Sequence, residues 1–253
     1  MGAACVRMLS EKDCRVIGLD REGTPIPEGA RMIPIDVTDA RTVDAAFDLL
    51  QSDAVQLDAI AYMAGIYEAD SLIEIDEAQM RRIFEVNVFG AYRTIRTFFP
   101  LLKENARIVL VTSELAPIDP LPFTGLYGIT KSTLERYAFS LAMELQLIGM
   151  HVTVIRPGAV ETPLLNRSVD RIEAFTAHTA HYPDQADRFL KVTNAVESKS
   201  VPPEAVAKTL CRALNARHPR FVYNLNRNPL LRLYGVLPKQ WKLFAIKTYL
   251  KRK

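Results

Sequence analysis

Residues 107–131 read RIVLVTSELAPIDPLPFTGLYGITK, and they contain one strand–helix unit of the fold that this sequence predicts. The apolar run at residues 108–111 is suited to a strand buried on both faces of a parallel sheet. After a loop, residues 127–147 carry apolar side chains at helical spacing. A buried strand followed by a long helix is typical of α/β proteins.

The same alternation of short apolar runs and longer helical stretches extends over most of the 253 residues. Further apolar runs lie at residues 16–19, 32–35, 59–63 and 152–155. Helical spacing of apolar residues recurs at residues 43–50 and 77–102. This order predicts a doubly wound parallel sheet with helices on both faces, in a single domain covering residues 1–253.

Small or polar residues follow each predicted strand. They are Asp20, Asp36, Ala64 with Gly65, Ser113, and Pro157 with Gly158. In a doubly wound sheet, ligands bind beyond the carboxyl ends of the strands. Each of these residues is by itself an ordinary turn residue, but five such positions together predict one ligand site at this edge of the sheet.

Tyr127 and Lys131 are four residues apart in a predicted helix and therefore lie on one face. A tyrosine with the ordinary pKa of about 10 is a poor proton donor or acceptor at neutral pH. A neighbouring ammonium group would lower that pKa and suit the tyrosine for acid–base catalysis. The spacing alone is common on solvated helix faces. Its significance comes from Ser113 at the end of a strand and from Asn87 within an apolar helical run.

In their order and spacing, these residues resemble those of the classical short-chain dehydrogenase/reductase family over nearly the whole chain. The matching residues are Asp20, Arg21, Asp36, Val37, Ala64, Gly65, Asn87, Ser113, Tyr127, Lys131 and residues 156–162. The resemblance implies a Rossmann fold. It also implies an NAD(P)-dependent enzyme that transfers a hydride to or from the CH–OH group of a small-molecule alcohol or ketone.

The resemblance further implies a role for each catalytic residue. Tyr127 would be the general acid/base, and Lys131 would hold the nicotinamide ribose and lower the pKa of the tyrosine. Ser113 would orient the substrate oxygen, and Asn87 would hold a water molecule that links Lys131 to solvent. Considered singly, Ser113 is better explained as a turn serine and Asn87 as a helix-bending amide satisfied by backbone. The complete set favours catalysis.

The same resemblance implies contacts along an NAD molecule. Asp20 would accept hydrogen bonds from the adenosine ribose and repel a 2′-phosphate, which favours NAD over NADP, although the adjacent Arg21 could hold a phosphate. Asp36 and the Val37 backbone would meet the adenine, and Thr162 would meet the carboxamide of the nicotinamide. The remaining predicted cofactor contacts are Gly2, Ala64, Gly65, Tyr127, Lys131, Pro157, Gly158 and Val160.

The N-terminal segment departs from the family pattern. Members begin with a strand and a Thr-Gly-x-x-x-Gly-x-Gly loop that binds the pyrophosphate at a helix N-terminus. This chain matches only the last glycine of that loop, at Gly2, and is interpreted as an N-terminally truncated member without the first strand. We therefore expect a gap between the strands ending at Asp20 and Met63, weak dinucleotide binding and marginal stability. The alternative is a catalytically silent binding or regulatory protein that has lost this loop.

Two segments lie outside the strand–helix alternation. Residues 164–200 predict a helical lid over the substrate. Residues 225–253 form a basic tail that resembles the tails of hydroxysteroid and retinol dehydrogenase-like members, which implies a lipophilic substrate. Within the tail, residues 241–251 form an imperfect apolar arc opposite basic side chains. This pattern fits peripheral contact with an anionic membrane surface and a packed terminal helix equally well.

Charge and composition argue against several other classes of protein. The last acidic residue is Glu204, and 20 of the 32 basic residues precede it together with the other 28 of the 29 acidic residues, so residues 1–204 carry a net charge of about −9. An acidic body without a binding motif argues against nucleic acid as a partner. Three cysteines without metal-ligand spacing predict no metal site and a reducing, cytoplasmic setting. By resemblance, the helices at residues 77–102 and 127–147 would pair subunits into a homodimer or homotetramer.

Overall fold

The computed structural model describes residues 1–25, 30–197 and 199–251, and it contains the predicted alternation of strands and helices. The described strands are β1 (Val16–Asp20), β2 (Ala30–Pro34), β3 (Leu57–Tyr62), β4 (Leu102–Val111), β5 (His151–Pro157) and β6 (Val222–Leu225). The described α-helices are α1 (Gly2–Ser10), α2 (Ala40–Ser52), α3 (Glu77–Phe84), α4 (Gly90–Phe98), α5 (Gly125–Leu145), α6 (Pro163–His178), α7 (Pro183–Glu197), α8 (Pro203–Asn215), α9 (Pro229–Val236) and α10 (Lys239–Lys251). All described strand pairs are parallel, so the chain has the predicted α/β architecture.

The described strands form two sheets. One contains β1 and β2, and the other has the order β3-β4-β5-β6. The register of the larger sheet places Ile108 of β4 between Ile60 of β3 and Val152 of β5. The sequence predicts a break between the strands ending at Asp20 and Met63, and the structure places β1 and β3 in different sheets.

Helices cover both faces of the larger sheet, as expected for a doubly wound fold. Successive side chains of a strand point to opposite faces. On one face, Ile108 and Leu110 of β4 pack with side chains of α4 and α5, including Leu134. On the other face, Val109 and Val111 pack with side chains of α1 and α8. β4 is therefore buried on both sides, which explains its continuous apolar run.

A separate core joins the two sheets. Ile33 of β2 and Val43 of α2 pack in one buried cluster with Ile60 of β3 and Phe98 of α4. Asp39 begins α2 by accepting a hydrogen bond from the backbone N–H of Arg41, a common way to satisfy the free donors of a first turn. The side chains of α2 thus hold the small sheet against the large one.

The predicted single helix at residues 77–102 is wrong in detail, because a π-helical turn at Glu85–Phe89 separates α3 from α4. The stretch then ends in a short 3-10 turn at Phe99–Leu101, and Leu102 already belongs to β4. Single π turns are frequent at functional sites. Here the turn carries Asn87, whose side chain is fully buried.

The region after β5 is helical where the sequence predicts a lid. The helices α6 and α7 pack around Phe123, Phe175 and Phe189, together with Leu250 of α10. Residue 198 of the predicted lid and residues 252–253 of the predicted tail lie outside the described residues. The sequence did not predict β6, which extends the sheet beside β5 before α9 and α10 begin. Among the described helices, none is long and apolar enough to cross a bilayer.

Candidate active site

A cavity of about 210 Å³ lies beyond the carboxyl ends of β4 and β5 and beneath the lid helices. Its wall contains Ser113, which follows β4, and Tyr127 and Lys131 from the first two turns of α5. Of the predicted cofactor contacts, the wall also contains Gly65, Pro157, Gly158, Val160 and Thr162. The structure therefore brings three of the four predicted catalytic residues to one cavity with five further predicted site residues.

Tyr127 and Lys131 point into the buried side of α5. The two residues are 8% and 3% exposed, and the Lys131 nitrogen lies 5.8 Å from the centre of the Tyr127 ring. The Lys131 ammonium donates a hydrogen bond of 3.1 Å to the Val111 carbonyl oxygen at the end of β4. This contact holds the ammonium at the sheet edge, where the cavity opens.

Burial shifts the pKa values of both groups. It raises the pKa of Tyr127 to about 12, and a hydrogen bond with Ser113 opposes that rise. Burial lowers the pKa of Lys131 to about 8, because an ammonium loses its hydration there. The expectation of a lowered tyrosine pKa is therefore wrong, because the loss of hydration raises the pKa of Tyr127 by more than the Ser113 hydrogen bond lowers it. At neutral pH the phenol of Tyr127 is protonated.

Ser113 is held by a short turn. Its hydroxyl oxygen accepts a hydrogen bond of 3.2 Å from the backbone N–H of Leu115 and also pairs with Tyr127. The turn-serine explanation and the catalytic explanation of Ser113 are therefore compatible. The turn orients the hydroxyl beside the phenol, where both groups can reach one substrate oxygen.

Asn87 does not line the cavity but lies directly behind it. Its Nδ2 donates hydrogen bonds of 3.0 Å to the Ile66 carbonyl and to the Thr130 hydroxyl, and its Oδ1 accepts one of 2.8 Å from the Ile66 N–H. The amide therefore ties the loop after β3 to α5. The predicted backbone satisfaction of Asn87 is present, and the predicted water contact stays a prediction.

The absence of a side chain at Gly65 keeps the inner wall of the cavity open. A Cβ atom there would lie 3.2 Å from the Lys131 nitrogen and 3.3 Å from Asn87 Oδ1. Such distances are tighter than ordinary van der Waals contact. The neighbouring Ala64 is exposed and does not line the cavity.

Two predicted contacts on the opposite wall have structural roles of their own. A Cβ at Gly158 would overlap the carbonyl oxygen of Asn226 and would lie 2.9 Å from Glu114 Oε1, so packing alone requires glycine at this position. The hydroxyl of Thr162 accepts a hydrogen bond of 3.4 Å from the Leu165 N–H and caps α6. Both residues face the cavity as well.

The residues predicted to bind the adenosine half lie outside this cavity. Asp20 ends β1 and accepts a hydrogen bond of 2.8 Å from the backbone N–H of Arg21. Asp36 accepts hydrogen bonds from the backbone N–H and the hydroxyl of Thr38, which lower its pKa. The Val37 carbonyl accepts a hydrogen bond from Arg93. These groups form a polar loop cluster after the small sheet.

Gly2 starts α1, and a Cβ added there would meet no atom within 4 Å. Its neighbour Met1 lines the cavity. The amino end of α1 therefore adjoins the cavity wall, as expected for the helix that follows a glycine loop.

The chain is similar to known proteins in sequence and in fold. A 3-ketodihydrosphingosine reductase from Bacteroides thetaiotaomicron is 24% identical over 242 residues, which cover 95% of this chain and 88% of that protein. The 17-beta-hydroxysteroid dehydrogenase type 1 of Mus musculus is 30% identical over 214 residues, 80% of this chain and 58% of that protein. A solved short-chain dehydrogenase from Streptomyces avermitilis superposes with a TM-score of 0.71 at 20% identity, covering 98% of this chain and 90% of that one. A family model described as enoyl-(acyl carrier protein) reductase matches residues 1–192.

The chain belongs to the short-chain dehydrogenase/reductase family. It is therefore an NAD(P)-dependent oxidoreductase that acts on CH–OH groups, as the sequence predicts. The Rossmann-type parallel sheet is that of this family.

The cavity of this short-chain dehydrogenase/reductase fits the nicotinamide end of the cofactor. The wall is open at Gly65, where a side chain would crowd Lys131. The buried Lys131 ammonium can donate to ribose hydroxyls, and Thr162 offers a hydroxyl on the facing wall. Within residues 1–25, 30–197 and 199–251, no three His, Cys, Asp or Glu side chains converge as a metal site would require.

Sequence reasoning missed two residues of this site. Tyr67 lies on the wall with its ring centre 4.8 Å from that of Tyr127. Glu114 follows Ser113 and is only 7% exposed. Nothing in the local sequence distinguishes Tyr67 from an exposed loop residue. For Glu114 the one available signal was its position directly after a strand-end serine.

Proposed function

We propose that this enzyme transfers a hydride between NAD(H) and the hydroxyl or carbonyl carbon of a lipophilic alcohol or ketone. The observation that supports this most is the cavity itself, in which Ser113, Tyr127 and Lys131 lie together. Much of the remaining wall is apolar, with Leu115, Leu121, Leu164, Leu165, Phe189 and Leu231. Such a wall favours an apolar substrate with one polar reacting group.

The mechanism assigns each polar side chain a task. The bound nicotinamide supplies or accepts the hydride. Tyr127 is protonated at neutral pH, so it can donate its phenolic proton to the substrate oxygen as a ketone becomes an alcohol. The Ser113 hydroxyl donates a hydrogen bond to the same oxygen and orients it. In the oxidative direction the phenolate receives the proton instead.

Lys131 and Asn87 support that step. The Lys131 ammonium, with a pKa of about 8, remains largely protonated at pH 7 and can bind the ribose and stabilise negative charge on Tyr127. Asn87 holds the loop of Gly65 and Ile66 against α5, which places Lys131. We also assign to Asn87 the contact with a water molecule that returns protons to Lys131.

The cofactor would extend from the cavity toward the small sheet. Gly65, Val160 and Thr162 would contact the nicotinamide half, with Pro157 and Gly158 beside it. Gly2 and Ala64 would lie near the pyrophosphate, and Asp20, Arg21, Asp36 and Val37 near the adenosine. The exposed carboxylate of Asp20 at the end of β1 favours NAD over NADP, because it would repel a 2′-phosphate.

The names of two relatives support the proposal of a lipophilic substrate. One acts on 3-ketodihydrosphingosine and the other on a hydroxysteroid. Residues 164–200 would form the lid over such a substrate, since α6 and α7 supply Leu164, Leu165 and Phe189 to the cavity wall. The domain then comprises residues 1–253, with this lid and a tail at residues 225–253.

A catalytically silent binding protein, the alternative that the N-terminal segment suggests, conflicts with membership of a family of NAD(P)-dependent enzymes. The separate sheets of β1 and β3 are the observation from which that alternative would have to be argued. The complete set of Asn87, Ser113, Tyr127 and Lys131 favours the enzyme. A nucleic acid partner has no support in the acidic body of the chain.

The exposed apolar side chains support the proposed assembly and location. Phe89, Tyr92, Phe139 and Met143 on and next to α4 and α5 are about half exposed, which supports pairing of these helices in a homodimer or homotetramer. On α10, Trp241, Leu243 and Phe244 are exposed beside basic residues, which supports peripheral contact of a cytoplasmic enzyme with an anionic membrane. Light scattering and vesicle sedimentation test these two points.

A substrate screen tests the proposed reaction. The purified chain is incubated with NAD or NADP and a set of hydroxysteroids, retinol and simple secondary alcohols, and with NADH or NADPH and the matching ketones. We expect a change in NADH absorbance with lipophilic members of the set, and faster turnover with NAD(H) than with NADP(H). Folded protein that turns over no member with either cofactor would instead support the silent binding protein.

A further inference from the structure

Glu114 is a buried carboxylate in the cavity wall that the hydride-transfer mechanism does not use. It follows Ser113, and its side chain and backbone together are 7% exposed. Its backbone N–H donates a hydrogen bond of 2.8 Å to the Pro157 carbonyl at the end of β5. This contact fixes the residue between the carboxyl ends of the two central strands of the larger sheet.

The two carboxylate oxygens have different surroundings. Oε2 accepts a hydrogen bond of 2.7 Å from the backbone N–H of Asn228. Oε1 faces Gly158, where an added Cβ would lie 2.9 Å away. Among the described residues, no lysine, arginine or histidine forms an ion pair with Glu114. Arg227 is near enough to lower its pKa, but burial has the larger effect and raises it.

The rest of this part of the wall supplies little compensation for the charge. Leu115 and Leu121 follow on the same loop, and Leu164, Leu165 and Leu231 line the cavity from the lid and the tail. An ionised carboxylate that is buried with a single N–H donor is costly, and an opposite charge in contact with it recovers much of that cost.

We propose that Glu114 forms a second binding point in the cavity, which recognises a protonated primary amine on a lipophilic substrate. This rests on the proposed assignment of the cavity as the substrate site. An ammonium group fits better than a guanidinium, because bidentate binding of a guanidinium uses both carboxylate oxygens and Oε2 is already engaged by Asn228. A substrate hydroxyl could donate to Oε1 but would bring no positive charge into contact with the carboxylate.

A control variant separates a purely structural role of Glu114 from the proposed binding role. Its bond to Asn228 ties the loop after β4 to the start of α9. A second tie joins the same loop to the tail, where Asp119 pairs with the Lys242 ammonium at 2.7 Å. Asp119 does not line the cavity. Asp119→Asn therefore weakens the attachment of the loop without removing the carboxylate of the proposed subsite.

The test is direct binding of octylamine and of octan-1-ol, measured by calorimetry on the full chain at pH 8. These probes share their apolar chain and differ in the cationic group, and neither requires hydride transfer. For the unaltered protein we expect at least about tenfold tighter binding of octylamine. Glu114→Gln should abolish this preference, and Asp119→Asn should keep it. Equal binding of both probes to the unaltered protein, or a preference that survives in Glu114→Gln, overturns the proposal.

A pH series on the unaltered protein gives the same answer without any substitution. The amine stays protonated from pH 8 to pH 4.5, whereas burial raises the pKa of Glu114, so its carboxylate takes up a proton at a higher pH than an exposed glutamate does. The octylamine preference should therefore weaken as the pH falls over this range, and a constant preference contradicts the proposal. Absence of turnover with ketones would contradict only the proposed reaction, because probe binding is measured without it.

Discussion

The side-chain nitrogen of Lys131 lies 5.8 Å from the centre of the Tyr127 ring, one turn further along α5. The ordinary pKa values of these two groups differ by little, but burial moves them apart, to about 8 for the ammonium and about 12 for the phenol. At neutral pH both groups therefore carry their protons, and both can donate toward the cavity. Two predictions concern this pair directly.

Replacing Tyr127 with phenylalanine removes the proton donor and leaves the ring in place. We expect kcat to fall by about 10²- to 10⁴-fold, the usual contribution of general acid–base catalysis. Binding of NADH, followed by its fluorescence, should change little. The matched control is Tyr137→Phe, the same change on the same helix at a half-buried position that does not line the cavity. Full turnover in Tyr127→Phe would mean that another group transfers the proton.

The buried Lys131 ammonium should make stability depend on pH. Its folded pKa of about 8 lies below the ordinary 10.5, so between these values the unfolded chain binds more protons, and stability rises with pH. At pH 7 the whole penalty, about 3 kcal/mol, is present. Lys131→Met removes it, so the variant's advantage in urea unfolding should shrink as the pH rises from 7 to 10. Above pH 10 the raised pKa of Tyr127 acts in the opposite direction, so the series stops there.

The informative quantity is the difference between the two proteins at each pH, because other titrating groups are common to both. Loss of the hydrogen bond to the Val111 carbonyl subtracts about 1 kcal/mol from the variant at every pH. A difference in unfolding free energy that stays constant from pH 7 to pH 10 would show that the ammonium is well solvated in the folded chain.

The sequence predicts the central strands well, for a physical reason. A strand such as β4 is buried on both faces, so its apolar run is continuous and readable without knowledge of its neighbours. β6 has only four residues, VYNL, and exposes Asn224, so no period can be recognised in it. The π turn at Glu85–Phe89 leaves the apolar pattern helical, and its buried amide pairs with backbone 21 residues away.

Site residues that are related by local geometry could be predicted from the sequence, and those that depend on contacts with distant parts of the chain could not. Tyr127 and Lys131 are related by local helix geometry, so their spacing is visible in the sequence. The burial of Glu114 depends on Asn228, 114 residues later, and a glutamate after a strand otherwise indicates an exposed turn. The direction of the Tyr127 pKa shift also depends on burial by the folded chain, which spacing does not show.

Asn87 should be important for stability as well as for catalysis. Asn87→Leu keeps the size of the side chain but leaves the N–H and carbonyl of Ile66 and the hydroxyl of Thr130 without their partner. We expect a loss of about 3 kcal/mol in urea unfolding. Thr130→Val removes one of the three bonds of Asn87, together with the bond from the Thr130 hydroxyl to the Tyr127 carbonyl, and should cost about 1–2 kcal/mol. Equal losses in the two variants would contradict the tie between Ile66 and α5.

Gly158 is closely packed and Gly2 has open space around it, so alanine substitutions at the two positions should differ in their effect on stability. At residue 158 a Cβ overlaps the Asn226 carbonyl oxygen and lies 2.9 Å from Glu114 Oε1, and neither the backbone nor the buried carboxylate can withdraw freely. We expect Gly158→Ala to cost about 1–3 kcal/mol, as overpacking usually does.

Gly2→Ala is the control, since nothing lies within 4 Å of its Cβ and alanine favours the helix that begins there. Its unfolding free energy should stay within about 0.5 kcal/mol of the unaltered protein. Gly158→Ala should in addition weaken octylamine binding, because the segment at residues 226–228 that contacts Glu114 must move. Thermal unfolding of both variants at one protein concentration measures the first effect, and calorimetry measures the second. A Gly158→Ala protein as stable as Gly2→Ala would show that the tail segment packs less closely against the end of β5 than the structure places it.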